Sequence, residues 1–190
     1  APMMQKYNPK WGMGDIIIKD RTGEGVINDE DRTVIGNSIP RFTFGLNLGF
    51  EYKGFDFSCF FQGVGKADGY VTMEAIQPKG INGARKEHYK ASFNPQDPKP
   101  GAYFPRILSS DYNYAYMSHW VQDASYIRLK NLQIGYSFKI KGLNQLRVYA
   151  SGENLFTATK YRTWDPETPV GARGFYPNVA VYSMGVNLNF

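Results

Sequence analysis

The stretch Asn178 to Phe190, N-V-A-V-Y-S-M-G-V-N-L-N-F, alternates in steps of two. Ala180, Tyr182, Met184, Val186, Leu188 and Phe190 fall on one side; Val181, Ser183, Gly185, Asn187 and Asn189 fall on the other. A period of two marks a β-strand, because successive side chains point to opposite faces. Here one face is apolar and ends on an aromatic ring, while the other is mostly polar or small. Two environments ask for that pattern. One is a soluble sheet packed on a core; the other is a transmembrane β-barrel, with lipid outside and water or a polar plug inside.

The same period recurs along the chain. In R-F-T-F-G-L-N-L-G-F-E-Y, residues Phe42, Phe44, Leu46, Leu48, Phe50 and Tyr52 alternate with Arg41, Thr43, Gly45, Asn47, Gly49 and Glu51. Lys53-Gly54 is a turn signal, and Phe55, Phe57, Cys59 and Phe61 then share a face opposite Asp56, Ser58, Phe60 and Gln62, which predicts a tight hairpin. In Y-I-R-L-K-N-L-Q-I-G-Y-S-F, Leu132, Ile134, Tyr136 and Phe138 keep one parity while Ile127 and Leu129 hold the other, so a bulge is expected near Lys130-Asn131. A fourth run sets Leu146, Val148, Ala150 and Phe156 against Arg147, Tyr149, Ser151 and Glu153.

The connections between these runs sort by length. Lys53-Gly54 and Lys141 to Gln145 are short, whereas the segments before residue 40, from 66 to 124 and from 158 to 177 are long and show little periodicity. A structureless loop of about 60 residues is foreign to a compact soluble domain. Outer-membrane barrels, by contrast, combine short periplasmic turns with long extracellular loops. The expected fold is therefore all-β, an antiparallel transmembrane barrel segment of about five strands. Its parts are an outer loop over 1–39, a barrel hairpin over 40–65, an outer loop over 66–124, a hairpin over 125–157, an outer loop over 158–177 and a last strand over 178–190. Tyr52, Tyr136 and Phe190 near one edge, with Phe42, Tyr126, Phe156 and Tyr182 near the other, fit two aromatic girdles. Five strands do not close a barrel, since the smallest have about 8. The edges are thus expected to pair with strands outside this chain.

Composition agrees with strands rather than membrane helices. Aromatic residues make up 16% of the chain while mean hydropathy is −0.45, so apolar surface comes as rings dispersed among polar residues. No run approaches the roughly 18 apolar residues of a spanning helix. The net charge of +5 comes from scattered basic residues without a Lys/Arg tract, which argues against nucleic acid as a partner. The single cysteine, Cys59, excludes an internal disulfide framework. A-P-M-M-Q-K-Y at the N-terminus lacks a basic n-region and an apolar h-region, so the chain reads as mature, cut from something longer, or leaderless.

One loop motif carries metal-ligand spacing. Asp20, Thr22, Glu24, the Val26 carbonyl, Asn28 and Asp31 fall at positions 1, 3, 5, 7, 9 and 12 of a calcium loop, with Gly25 at the sharp turn. Ca2+ is the one cofactor this suggests; the alternative is a loop held by Asx-type turns alone. His88 and His119 have no second ligand at a useful spacing and read as surface loop histidines. Asp165 and Glu167 read as solvated loop charges. No nucleophile–base pairing, phosphate loop or zinc motif is present, so no enzyme is expected. Trp120, Trp164, Tyr112, Tyr114 and Tyr116 in the long segments are candidates for ligand or partner contact, since exposed rings stack on sugars and populate interfaces. Arg147, Tyr149, Ser151, Glu153, Asn187 and Asn189 are expected to face the lumen.

The run from Gly14 through G-D-I-I-I-K-D-R-T-G-E-G-V-I-N-D-E-D to F-S-C-F-F-Q-G, then Y-I-R-L-K-N-L-Q-I-G-Y-S-F, L-R-V-Y-A-S-G-E-N-L-F-T-A-T-K-Y and W-D-P-E, resembles the C-terminal part of SusC/RagA-type TonB-linked outer-membrane proteins. The likeness is weakest from Val71 to Tyr116. It implies that the strands belong to a larger, plugged barrel in the outer membrane of a Gram-negative bacterium. It further implies import of glycan oligosaccharides or peptides, a SusD-like surface lipoprotein as partner, and a TonB complex acting through a plug domain that this chain lacks. A secreted β-sandwich binding carbohydrate through its aromatic loops is the alternative from another class.

Overall fold

The computed structural model describes residues 2–71, 86–98, 100–107, 112–142, 144–162, 165–168 and 176–190. The chain forms two compact units, Gly36–Tyr70 with Val121–Phe190, and Ala1–Ile35 with Val71–Trp120.

The first of these is an antiparallel sheet. In chain order its strands are β1 (Phe42–Tyr52), β2 (Phe55–Gly65), β3 (Asp68–Tyr70), β4 (Val121–Asp123), β5 (Tyr126–Phe138), β6 (Gln145–Thr159) and β7 (Val181–Asn189). The five long strands lie in the order β1-β2-β5-β6-β7, every neighbour antiparallel, while β3 and β4 pair as a separate ribbon. The long strands run to 11, 11, 13, 15 and 9 residues. Strands of globular proteins are usually about 5–6 residues, whereas a tilted strand crossing a bilayer needs about 9–11.

Local chemistry explains the hairpin at β1–β2. Lys53 and Gly54 both take positive φ, 48° and 87°, the signature of a two-residue type I′ turn whose twist matches the strands. Its register pairs Tyr52 with Phe55 and Phe42 with Gly65. The expected bulge lies at Lys130. Asn131 pairs with Phe60 and Leu129 with Phe61, leaving Lys130 as the extra residue on β5. Across β6 the same irregularity sits between Glu153 and Phe156, where Asn154 adopts a φ of 52°.

The register gives the sheet two chemically distinct faces. Phe44, Leu46, Leu48 and Phe50 of β1 lie over Gly63, Phe61, Cys59 and Phe57, and this apolar row continues through Leu132, Ile134, Val148, Ala150, Met184 and Val186. Many of these side chains are exposed, Met184 at 90% and Phe50 at 55% among them. The other face carries Asn47, Asp56, Ser58, Gln62, Gln133 and Ser137, with Arg147, Tyr149, Ser151 and Glu153 of β6 and the odd-numbered residues of β7. The bulge inverts the parity of β5 upstream of Lys130, which corrects one girdle assignment. Tyr126 lies on the polar face opposite Val64 and Thr159, with its hydroxyl 3.4 Å from the Gln62 amide that donates to it.

The second unit holds two short helices, α1 (Pro2–Tyr7) and α2 (Lys86–Ala91), among turns. Its core is Met4, Val71, His88, Asn113, Tyr114 and Trp120, each at most 2% exposed. The described parts of 66–124 therefore include an ordered body, where a structureless loop was expected. Its rings pack without sequence period, so alternation could not reveal it. Trp120 stacks on Tyr114 at 5.8 Å and meets Tyr103 and Phe104 at 5.9 and 6.0 Å. His88 is 1% exposed and packs edge-on against Phe104 at 4.7 Å, which overturns its reading as a surface histidine; His119 does lie at the surface, its Nε2 2.9 Å from the Tyr103 carbonyl.

Candidate functional site

The polar face of the sheet is the first candidate. The register places Arg147, Tyr149, Ser151 and Glu153 of β6 beside Asn187 and Asn189 of β7 on this face, with Arg147 opposite Asn187 and Tyr149 opposite Gly185. Near the hairpin end of the strands Arg147 reaches across β5 to Asp56 of β2, Nε donating to Oδ2 at 2.9 Å. The pair lies over Gly135, where a Cβ would stand 2.4 Å from the Asp56 carboxylate and 2.7 Å from the guanidinium; only a glycine leaves that passage open. The Tyr149 ring supports Arg147 from 4.9 Å by a cation–π contact.

A second cluster occupies the opposite end of the same face. Arg128 is 2% exposed and donates through Nε to Thr157 Oγ1 at 2.8 Å and through Nη2 to both oxygens of Asp165 at 2.9 and 2.8 Å. Glu167 lies 3.2 Å from Arg128 and takes Lys130 Nζ at 2.8 Å. Asp165 and Glu167 are thus ion-paired with the buried Arg128 and the partly exposed Lys130, and are not solvated loop charges. Beside them is a cavity of about 360 Å3 bordered by Ser38, Gln62, Asp68, Tyr126, Tyr161 and Glu167 among others. Its size is that of a small-ligand pocket. Neither Arg128 nor Lys130 stood out in the sequence. The available signal was two cations two residues apart at the parity break, which the strand's period sets on one side and the bulge turns to the polar face.

The calcium-loop residues come together, but around their own backbone. Asp20 accepts from the N–H groups of Gly23 and Gly25 at 2.6 and 2.7 Å. Asp31 Oδ1 accepts from Arg21 N–H at 2.6 Å and Thr22 N–H at 3.2 Å, and Oδ2 accepts from Asn28 N–H at 3.0 Å. Glu24 takes the Asn28 amide and the Thr22 hydroxyl. Val26 is 49% exposed at the tip. Among the described residues no three His, Cys, Asp or Glu side chains are grouped to hold a metal ion, and the acids of this loop accept from its own N–H groups in the manner of Asx-type turns.

Those bonds set a pH dependence. The N–H groups of Arg21 and Asn28, then Thr22, hold the Asp31 carboxyl below its ordinary value. A depressed carboxyl favours the folded loop at pH values above the unfolded pKa of about 3.9, and that contribution is lost as pH falls through the lower, folded value. Amide exchange at Arg21, Thr22 and Asn28 is therefore expected to lose protection on acidification below pH ~4. An Asp31→Asn variant showing the same acid-dependent loss would refute the assignment.

Of the candidate contact residues, the structure places Trp120 and Tyr114 inside the core at 0% and 1% exposure, which removes them from the surface. Tyr112 is half-buried, its hydroxyl donating to the Ile16 carbonyl at 2.9 Å; burial first, then the nearby Tyr7 and Asp15, push its pKa up to about 12. Tyr116 is 86% exposed. Trp164 lies outside the described residues. Asp15 anchors this region. Burial alone would raise its pKa, but bonds from Arg106, Asn113 and the Gly12 N–H outweigh that and keep it low.

Long antiparallel strands with one exposed apolar face and one polar, ion-paired face are the pattern of strands in outer-membrane barrels, and known proteins agree. No family model matches the chain. It is 35% identical over 201 residues to TonB-dependent receptor P3 of Formosa agariphila, covering 93% of this chain and 19% of that protein. It is 28% identical over 182 residues to TonB-dependent receptor SusC of Bacteroides thetaiotaomicron, covering 90% of this chain and 17% of that protein. In structure it matches the RagAB peptide importer in its open-open state with a TM-score of 0.66 and 25% identity, over 82% of this chain and 18% of that one. The chain spans about a fifth of the length of the relatives it matches. In sequence and fold it resembles a segment of SusC/RagA-type TonB-dependent receptors.

Proposed function

We propose that this chain is part of a TonB-dependent outer-membrane importer, and that its five long strands cross the outer membrane within a larger closed barrel. The observation that carries this is the two-faced sheet. An exposed apolar face of this extent suits lipid, and the polar face suits a water-filled or plugged lumen. Further strands complete the barrel, a plug domain fills it, and the TonB complex acts on that plug. The turn at Lys53-Gly54 and the connection over 139–144 then face the periplasm, and the long segments face outside, where a SusD-like lipoprotein meets them. Oligosaccharides and peptides are the substrate classes that this family resemblance supports.

Paired substitutions on adjacent residues of β1 test the reading. Leu48 lies mid-strand on the apolar face and Asn47 on the polar one. In the full-length parent chain, Leu48→Arg is expected to cost about 2–4 kcal/mol, as a cation at the bilayer midplane does, while Asn47→Arg is tolerated. Equal effects, or a protein that leaves the envelope in carbonate without detergent, would instead support the secreted sandwich.

A further inference from the structure

The segment from Asp165 to Thr168 is tied to the polar face of the sheet by four charges. Arg128 and Asp165 form the inner pair, with side chains 3% and 9% exposed; Lys130 and Glu167 form the outer one, at 23% and 19%. Asn178 adds a bond to Glu167 at 2.7 Å. At the start of the same connection Tyr161 is buried against Gly69 of β3, and the Arg162 N–H donates to Gln122 Oε1 at 3.0 Å. Pro166, Glu167 and Thr168 make one wall of the cavity, and Gln62, Val64 and Tyr126 make another.

We infer that Asp165–Thr168 is a strap along one wall of the cavity, held in place by Arg128 and Lys130, whose release widens the cavity toward the lumen. The inference rests on the barrel reading, in which the polar face lines the lumen. Arg128 and Lys130 share a side through the strand's period of two, and the bulge turns that side to the polar face, where both reach the same glutamate. Apolar packing would fix a strap more cheaply, because burying charges costs desolvation that their attraction only partly returns. What a charge clamp provides instead is a discrete closed arrangement, kept only while the ions stay matched. The Lys130–Glu167 pair, more exposed than the inner one, is open to water and to competing ligand charges, so it releases first.

Thiol labelling of the full-length transporter in whole cells tests the strap. With Cys59→Ser as background, Gln62→Cys places a probe in the cavity and Asn47→Cys places one elsewhere on the polar face. A charged, membrane-impermeant maleimide is expected to modify Gln62→Cys about tenfold faster once Asp165→Asn and Glu167→Gln remove the clamp, as the open population grows. Lys130→Gln, which spares the buried pair, should give an intermediate rate, and Asn47→Cys should not change. An unchanged rate at Gln62→Cys overturns the strap, and so does an equal rise at both positions, which reports general loosening. If neither cysteine reacts in cells but both react in detergent, the lumen reading fails. The rate comparison in detergent then decides the strap by the same tenfold criterion.

Discussion

Trp120→Ala is expected to unlock the unit built from Ala1–Ile35 and Val71–Trp120. The indole is fully buried, its Nε1 donates to the Asn113 carbonyl at 2.8 Å, and rings of Tyr103, Phe104, Tyr114 and His119 surround it. Truncating a buried Trp or Phe to Ala typically costs about 3–5 kcal/mol, because transfer energy is lost and the cavity does not collapse. The Asn113 carbonyl also loses its donor. Amide exchange in this unit should accelerate by about two to three orders of magnitude, the unfolding equilibrium following the lost free energy. The strands of the sheet serve as the internal reference. Exchange near Met4 and Asn113 that stays at the parent rate would show that Trp120 is peripheral.

Arg128→Leu is expected to be nearly as damaging, for an electrostatic reason. It leaves Asp165 mostly buried without its bidentate partner, and Lys130 remains only for Glu167. Breaking one side of a buried ion pair costs about 3–5 kcal/mol, whereas replacing both sides with apolar groups is often close to neutral. The double variant Arg128→Leu with Asp165→Leu should therefore recover much of the loss. Urea unfolding in detergent micelles reads both. A double variant no more stable than the single one would mean that Arg128 acts through its aliphatic stem and Thr157 rather than through charge.

Legibility in the sequence followed period. The alternation at Phe42–Tyr52 and at Tyr182–Leu188 is strict, because each strand has one face for apolar surroundings and one for polar ones, and the strand faces could be read directly. The break between Leu129 and Leu132 was equally visible, since a bulge writes itself as a parity change. Tyr126 was misplaced because that parity change was not carried through to the strand's beginning. The aromatic core around Trp120 has no period, so exposure of its rings could not be judged. The charge clamp joins residues 37 positions apart whose pairing depends on a loop folding back, and no local pattern encodes that. For the loop at Asp20–Asp31 the spacing of oxygens was legible. Which N–H groups those oxygens accept from was not, because that depends on how the loop turns.

The bond from Val71 N–H to the Trp120 carbonyl, 3.1 Å long, bears on the order of folding. Pairing β2 with β5 must otherwise close a loop of residues 66–125, far longer than the turn between β1 and β2 or the connections of β5 to β6 and of β6 to β7. Loop closure grows with the logarithm of length, so shortening that loop tenfold saves about 2 kcal/mol. Once Val71 and Trp120 are joined, the intervening body no longer counts as slack, and β3 and β4 meet as if linked by a short turn. An insertion that looks like a burden on assembly thereby acts as a buckle, since the bond at its neck shortens the loop that the pairing of β2 with β5 has to close.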